Sequence, residues 1–359
     1  MKGLYLKKKI VFTGGGTAGH VTPNIALFPF LEKEGYESYY IGSYNGIEKR
    51  LIDDFNVPYY GISTGKLRRY FDLKNLSDPF RVIKGYAQAL KILKELKPDI
   101  VFSKGGFVSV PVIRAAAALK IPCIIHESDM TPGLANKLCI PVATKVCCNF
   151  PETTKYVPSG KAILTGSPIR SELTSGSKLA ALELCGFTAN KPVVMVIGGS
   201  QGASSVNVMV REALPKLLEK FQVVHICGKD KVDNLMLTIP GYKQFEYLKT
   251  DLKDVFAMAD VVVSRAGANA ICELLALKKP NLLIPLQVGS RGDQILNAKS
   301  FEEQGFSMVL REDFTDCDIL TEKIYELYEN RQMFIDKMSE SGQMNSIETI
   351  VNLIKEYSK

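Results

Sequence analysis

Three histidines occur in this chain of 359 residues, and one, His20, closes the glycine-rich run Gly14-Gly15-Gly16-Thr17-Ala18-Gly19-His20. An imidazole with an unperturbed pKa near ~6.5 takes a proton from a hydroxyl at neutral pH, so a histidine at the mouth of such a turn suits a base or a substrate-orienting group. His126 ends an apolar run ahead of Glu127-Ser128-Asp129, where packing and function are both open. His225 lies inside an apolar run of buried-strand type and reads as structural.

Four further clusters carry polar chemistry. Lys104-Gly105-Gly106-Phe107 is a second glycine turn after an apolar run. Gly198-Gly199-Ser200-Gln201-Gly202 offers a hydroxyl beside the N–H groups that open a helix, a setting that favours a diphosphate. Arg265-Ala266-Gly267-Ala268-Asn269 leads into another helix bearing Glu273, whose carboxylate can accept two bonds from ribose hydroxyls. Asp293-Gln294 follows a Gly-Ser-Arg-Gly loop and suits sugar hydroxyls. Gly14-x-Gly16-x-x-Gly19 also matches the dinucleotide fingerprint, but the second strand ends in Gly42-Ser43 rather than in the acid that would hold a ribose. A nicotinamide or flavin enzyme is therefore disfavoured.

These clusters must be carried by strand–turn–helix units. Two charge-free apolar runs, Ile10–Thr13 and Val193–Ile197, each precede a glycine turn and sit about half the chain apart. Such runs are what strands buried on both faces look like. The pattern predicts strands at 9–13, 37–42, 57–61, 99–103, 122–126 and 145–149, and again at 192–197, 222–227, 243–247, 260–263, 281–284 and 307–310. Helices are predicted near 20–34, 45–54, 75–96, 108–119 and 132–140, between the later strands, and through 317–358. The expected fold is α/β: two Rossmann-like, doubly wound parallel-sheet domains facing across a cleft. The first spans 1–168 with a returning C-terminal helix at about 342–359, and the second spans 169–341.

The net charge of +7 is unevenly spread: residues 1–168 carry a net +10 and residues 169–359 a net −3. Within the first half, residues 66–97 hold nine basic and three acidic side chains interleaved with Leu, Phe, Tyr and Ile. Arg68, Arg69, Phe71, Phe80 and Arg81 form the core of that patch. Rings that enter a headgroup boundary and cations that meet anionic lipid suit a membrane surface. The plainer alternative is an amphipathic helix packed on the sheet. No stretch approaches the roughly 20 apolar residues of a membrane span. The basic N-terminus runs straight into a strand, so no signal peptide is expected. Eight cysteines without metal spacing read mostly as small core residues in a reducing compartment. No Asp-x-Asp metal signature follows a strand, and no obligatory cofactor is expected.

Taken in order, the segments GGGTAGH (14–20), SKGGFVSVP (103–111), HESDMTPGLANK (126–137), GSPIR (166–170), GGSQGA (198–203), SRAGANAICE (264–273) and RGDQILNA (291–298) resemble the bacterial peptidoglycan N-acetylglucosaminyltransferases of the GT-B fold. The resemblance covers nearly the whole chain. It implies inverting transfer of GlcNAc from UDP-GlcNAc to the C4 hydroxyl of the MurNAc of lipid I, giving lipid II, on the cytoplasmic face of the cell membrane. It implies no nucleic-acid partner, and it makes cell-wall or division machinery candidate partners.

The resemblance also implies roles by position. His20 would be the base. Thr17, Ala18 and Gly19 would lie beside the sugar and phosphate, and Gly15, Gly16, Gly105, Gly106 and Phe107 would meet the acceptor diphosphate. Ser200 would contact the donor phosphate, Arg170 and the Leu248 backbone the uracil, and Glu273 the ribose. Ala268, Asp293, Gln294 and Asp129 would hold the donor sugar, and Asn269 would belong to the donor-binding set. The chain departs from the family pattern at Ser128-Asp129, where the family often has Gln-Asn, at Phe107, often Tyr, and at Asp293, often Gln. Other GT-B glycolipid synthases, sugar-nucleotide epimerases and a non-enzymatic nucleotide-sugar sensor are the rival classes, the intact His20 loop arguing against the last.

Overall fold

The computed structural model describes residues 7–65, 78–198, 203–287, 292–314 and 316–359. The chain divides into two compact units, Met1–Arg170 with Asn345–Lys359, and Ser171–Met344.

The first unit is built on β1 (Lys8–Thr13), β2 (Tyr36–Ser43), β3 (Tyr59–Ile62), β4 (Ile100–Ser103), β5 (Cys123–Glu127), β6 (Lys145–Cys148) and β7 (Ala162–Leu164). The strands lie in the order β3-β2-β1-β4-β5-β6-β7, and every pairing is parallel. Its helices are α1 (Thr22–Lys33), α2 (Ile47–Ile52), α3 (Asp78–Leu96), α4 (Ser109–Ala118) and α5 (Leu134–Cys139). The strand residues alternate between two cores. Val11, Ile41, Val101 and Ile125 face one layer with Leu93, Val112 and Ala116 of α3 and α4. Phe12, Tyr40, Phe102 and Ile124 face the other with Leu27, Phe28 and Leu31 of α1. Phe12 meets Phe28 and Phe102 edge-on, at ring-centroid distances of 5.0 and 5.9 Å.

The second unit contains α6 (Lys178–Cys185), β8 (Val193–Ile197), α7 (Ser204–Lys220), β9 (Gln222–Ile226), β10 (Tyr242–Phe245), α8 (Leu252–Met258), β11 (Val261–Ser264), α9 (Ala268–Ala276), β12 (Asn281–Leu283), α10 (Asp293–Glu303) and β13 (Met308–Val309). Its six parallel strands run in the order β10-β9-β8-β11-β12-β13. In both sheets the strand order reverses beside the first strand of the unit, between β1 and β4 and between β8 and β11. Open α/β sheets bind ligands at such points, beyond the carboxyl ends of the strands.

Three features differ from the sequence reading. The short β7 was not anticipated; it is only three residues long and half exposed, so it lacks the buried-strand signature. The first glycine turn does not open an α-helix directly. A 3-10 turn at Ala18–His20 comes first, and α1 starts at Thr22 with Pro23 in its first turn. The tail is broken into α11 (Cys317–Glu329), α12 (Arg331–Ser339) and α13 (Ser346–Tyr357). The last of these buries Ile350, Val351, Leu353 and Ile354 on the α1 side of the first sheet, and each fully buried side chain of this size contributes roughly 1.5–3 kcal/mol. Ser346 Oγ donates to the Ser167 carbonyl at 2.9 Å, which ties the start of α13 back into the first unit.

Candidate active site

In the first unit three loops leave neighbouring strands, β1, β4 and β5, at the same edge of the sheet. The turn after β1 is pinned from below. Tyr40 Oη donates to the Gly14 carbonyl at 2.8 Å, and Asn24 Nδ2 donates to the Thr13 carbonyl at 3.2 Å. The turn after β4 then docks directly on the turn after β1. Gly15 N–H lies 3.4 Å from the Gly105 carbonyl oxygen. Gly106 has φ +81°, and a Cβ there would stand 2.3 Å from the Gly15 oxygen. The Phe107 ring would lie 3.2 Å from a Cβ on Gly16, whose φ is +86°. Glycine at these positions therefore serves both the left-handed backbone and the close approach of the two turns.

His20 is half-buried at the end of the 3-10 turn. Its Nδ1 lies 3.1 Å from the Gly15 carbonyl oxygen and 3.1 Å from Thr17 Oγ1. A carbonyl only accepts, so the bond to Gly15 puts the proton on Nδ1 and the basic lone pair on Nε2.

Glu48, at the start of α2, was not singled out in the sequence. It is fully buried beneath the glycine turn. Its Oε2 accepts from Gly16 N–H at 3.2 Å, while Oε1 accepts from Ser43 N–H at 3.0 Å and from the Ser43 hydroxyl. The amides of Gly15 and Gly16 are thus engaged within the protein. No spacing rule would have found Glu48, because an acid in a short amphipathic helix looks like a solvated one.

The end of β5 adds two buried polar groups, His126 and Glu127, beside the buried Lys104 of the β4 turn. The Lys104 ammonium donates to Ser128 Oγ at 2.6 Å and lies 2.8 Å from His126 Nδ1. His126 Nε2 lies 2.9 Å from the Gly166 carbonyl oxygen, so this nitrogen carries the hydrogen and Nδ1 accepts from Lys104. Burial first, and the lysine charge second, push the His126 pKa well below its ordinary value. Glu127 is buried too, and its carboxylate takes the N–H groups of Asp129 and Gly133 and the side-chain amide of Asn136. Those bonds shape the 128–133 loop on which Asp129 stands. Burial still raises the Glu127 pKa against the bonds that lower it.

In the second unit the described sequence-derived residues sit beyond the ends of β10, β11 and β12. Ala268, Asn269 and Glu273 lie on α9, and Asp293 and Gln294 form the first turn of α10. Gln294 Oε1 accepts from the Leu286 N–H at 3.0 Å. Leu248 is buried just beyond β10. Arg265 holds the turn before α9: its guanidinium donates to the Ile284 carbonyl at 3.0 Å, to Ser205 Oγ at 3.0 Å and to Glu312 at 2.8 and 3.1 Å. Ser205 lies in the first turn of α7, so one side chain joins the start of α7 to the segments after β11 and β12. The partner, Glu312, was also missed by the sequence reading. Arg170 is half-buried at the end of the first stretch of the first unit.

Ser200, Arg68, Arg69 and Phe71 lie outside the described residues. Phe80 and Ile83 on α3 are 75% and 65% exposed, and Arg81 lines a cavity of about 380 Å³ with Ser43, Tyr44, Asn45, Ser63 and Thr64. Among the described residues no helix is long and apolar enough to cross a membrane, and no group of three or more His, Cys, Asp or Glu could hold a metal ion.

Comparison with known proteins places these features in context. Residues 10–148 match the glycosyltransferase family 28 N-terminal domain, and residues 193–354 match the glycosyltransferase family 28 C-terminal domain. The UDP-N-acetylglucosamine–N-acetylmuramyl-(pentapeptide) pyrophosphoryl-undecaprenol N-acetylglucosamine transferase of Lachnospira eligens is 64% identical over 353 residues, covering 98% of this chain and 100% of that protein. The protein of the same name from Lachnoclostridium phytofermentans is 59% identical over 350 residues, covering 97% and 99%. The crystal structure of Acinetobacter baumannii MurG superposes with a TM-score of 0.78 at 27% identity, covering 97% of this chain and 99% of that one. A UDP-GlcNAc 2-epimerase from Neisseria meningitidis superposes with a TM-score of 0.67 at 13% identity, a likeness of fold alone.

Proposed function

The chain belongs to glycosyltransferase family 28, and we propose that it transfers GlcNAc from UDP-GlcNAc to the MurNAc C4 hydroxyl of undecaprenyl-pyrophosphoryl-MurNAc-pentapeptide, the lipid I to lipid II step of peptidoglycan synthesis. The observation that carries this reading is the 64% identity to a transferase of that name over 98% of this chain and 100% of that protein.

The chemistry follows from the two sites. His20 Nε2 takes the proton of the acceptor hydroxyl as its oxygen attacks the anomeric carbon. The bond from that carbon to the UDP oxygen breaks on the opposite face, so one displacement inverts the configuration through an oxocarbenium-like state. Charge gathers on the leaving diphosphate. The N-termini of α7 and α9, with Ser200, would stabilise it without reorganising at the moment of reaction. Glu273 would hold the ribose, Arg170 and Leu248 the uracil, and Ala268, Asp293, Gln294 and Asp129 the sugar, with Asn269, Thr17, Ala18 and Gly19 alongside. The acceptor diphosphate would sit against the turns at Gly15-Gly16 and Gly105-Gly106-Phe107, above the buried Lys104 ammonium.

The protein would work as a peripheral enzyme on the cytoplasmic side of an anionic membrane, held by the basic and aromatic segment at 66–97. The exposed Phe80 and Ile83 support that placement, because apolar side chains this open to water are suited to lipid.

Incubating the protein with UDP-GlcNAc and a short-chain lipid I analogue tests the reading. UDP release that requires the analogue, with a disaccharide product, is the expected result. UDP-ManNAc formed without any acceptor would replace it with an epimerase.

A further inference from the structure

The peptide group joining Gly15 to Gly16 is hydrogen-bonded on both of its edges. Its N–H donates to Glu48 Oε2 at 3.2 Å, and its carbonyl accepts from His20 Nδ1 at 3.1 Å. Carboxylate, peptide and imidazole therefore form one continuous chain of bonds. We propose that Glu48 is a positioning residue for the transfer: acting through the Gly15–Gly16 peptide, it holds the Nδ1–H tautomer of His20 and raises the basicity of Nε2.

The site is built around this carboxylate. Side-chain carbons added at Gly15 and Gly46 would stand 2.6 and 2.2 Å from its carboxyl atoms, and one at Gly42 would stand 2.9 Å from its Cγ. Three glycines thus open a niche in which a fully buried acid takes three donors, one on Oε2 and two on Oε1. Each oxygen is needed. A glutamine has one acceptor oxygen, so its NH₂ would face either Gly16 N–H or the Ser43 donors.

Two physical effects then reach His20. Hydrogen bonds in series polarise one another, so an amide whose N–H is held by a carboxylate presents a more basic carbonyl oxygen to the imidazole. The negative charge beneath the turn also favours the imidazolium that forms when Nε2 takes the acceptor proton. The arrangement is a carboxylate–histidine pair with one peptide inserted between the partners, and that peptide also fixes the ring orientation.

Other charges around the turn are distributed as follows. Lys49 and Arg50 of α2, which packs on the turn, are exposed, as are Glu32 and Lys33 at the far end of α1. Lys104 precedes Gly105 in the apposed loop, where its ammonium is bonded to His126 and Ser128.

The inference rests on His20 being the base, and the test separates the two. The chain has three histidines, of which His126 and His225 are fully buried with lowered pKa values, so imidazole NMR of the histidine-labelled protein can follow the His20 signal apart from theirs. In Glu48→Gln its midpoint should move to lower pH by about one pH unit, and the acid limb of kcat/KM for the acceptor analogue should move with it. An unmoved midpoint in folded Glu48→Gln overturns the proposal. A midpoint that moves while the acid limb stays leaves His20 outside the chemistry and the relay without a catalytic role, which also overturns it. The unmutated protein supplies a readout independent of folding: the Gly16 amide and Gly15 carbonyl resonances should titrate with the His20 midpoint. Resonances flat across that range would show that the peptide carries nothing between the two side chains.

Discussion

The Arg265 guanidinium meets the Glu312 carboxylate with both arms of its fork, Nη1 to Oε2 at 2.8 Å and Nη2 to Oε1 at 3.1 Å. Arg265 is almost fully buried and Glu312 retains one-fifth of its side-chain exposure. The Glu312 pKa lies below its ordinary value, chiefly because of the bonds from Arg265. Lysine keeps the charge but cannot hold two carboxylate oxygens, the Ile284 carbonyl and Ser205 together. Arg265→Lys should therefore loosen the turn that aims α9, and UDP-GlcNAc affinity measured by calorimetry should fall about tenfold. A double-mutant cycle with Glu312→Gln should return a coupling of about 1–3 kcal/mol in unfolding free energy. Additive effects would mean that the fork does not act as a unit.

His20→Ala should leave UDP-GlcNAc binding nearly unchanged, because the proton transfer and not the nucleotide depends on the imidazole. Turnover should fall by roughly 10²–10⁴-fold, the usual worth of a positioned general base. Steady-state UDP release with the acceptor analogue, alongside calorimetry of the nucleotide, reads the two effects apart. Unaltered turnover would remove His20 from the mechanism.

Much of this architecture was written in local pattern. The charge-free runs before each glycine turn marked the two central strands, since a strand buried on both faces tolerates no polar interruption. Val193–Ile197 illustrates it: four of its five residues are buried. His225 likewise announced itself as structural, and it sits between Asn207 and Tyr242 in the second sheet. What local pattern could not supply was tertiary pairing. Glu48 and Glu312 gain their importance from partners 32 and 47 residues away in sequence, Gly16 and Arg265. Neither acid differs locally from any surface carboxylate. The 3-10 turn at Ala18–His20 was missed for a related reason. The glycine run signals a helix start, but Pro23 and the bond from Asn24 to the Thr13 carbonyl settle where α1 begins.

Gly106→Ala should disturb the site by crowding it while removing no reacting group, since the added Cβ would also stand 3.3 Å from His20 Nδ1. The new methyl would be forced to within 2.3 Å of the Gly15 oxygen, at a left-handed φ of +81°. Backbone on the other side cannot swing away cheaply, so the two turns must separate, at a cost of about 1–3 kcal/mol. Separation moves the carbonyl that holds His20 Nδ1, and kcat should fall at least tenfold while the far-UV spectrum is unchanged. A variant with full kcat would show that the contact between the turns is dispensable.

The two buried histidines predict how stability depends on acidity. His225 Nε2 lies 3.0 Å from Asn207 Oδ1, whose amide nitrogen donates to the Cys227 carbonyl, so Nε2 carries the hydrogen and Nδ1 accepts from Tyr242 Oη at 2.9 Å. Burial, and secondarily the nearby Arg211 charge, lower its pKa to about 3. The unfolded chain takes up this proton near pH ~6.5 and the native chain does not until far lower, so stability is full above the unfolded pKa and declines as the pH falls below it. By pH 5 the loss from His225 alone is about 2 kcal/mol. In His225→Gln, which can donate to Asn207 and accept from Tyr242 but does not titrate, that loss disappears. Urea unfolding of the second unit at pH 7 and pH 5 should thus show the stability gap between parent and variant narrowing by about 2 kcal/mol at the lower pH. A gap of constant size would mean that His225 is already protonated in the native state, contrary to the hydrogen bonds that surround it.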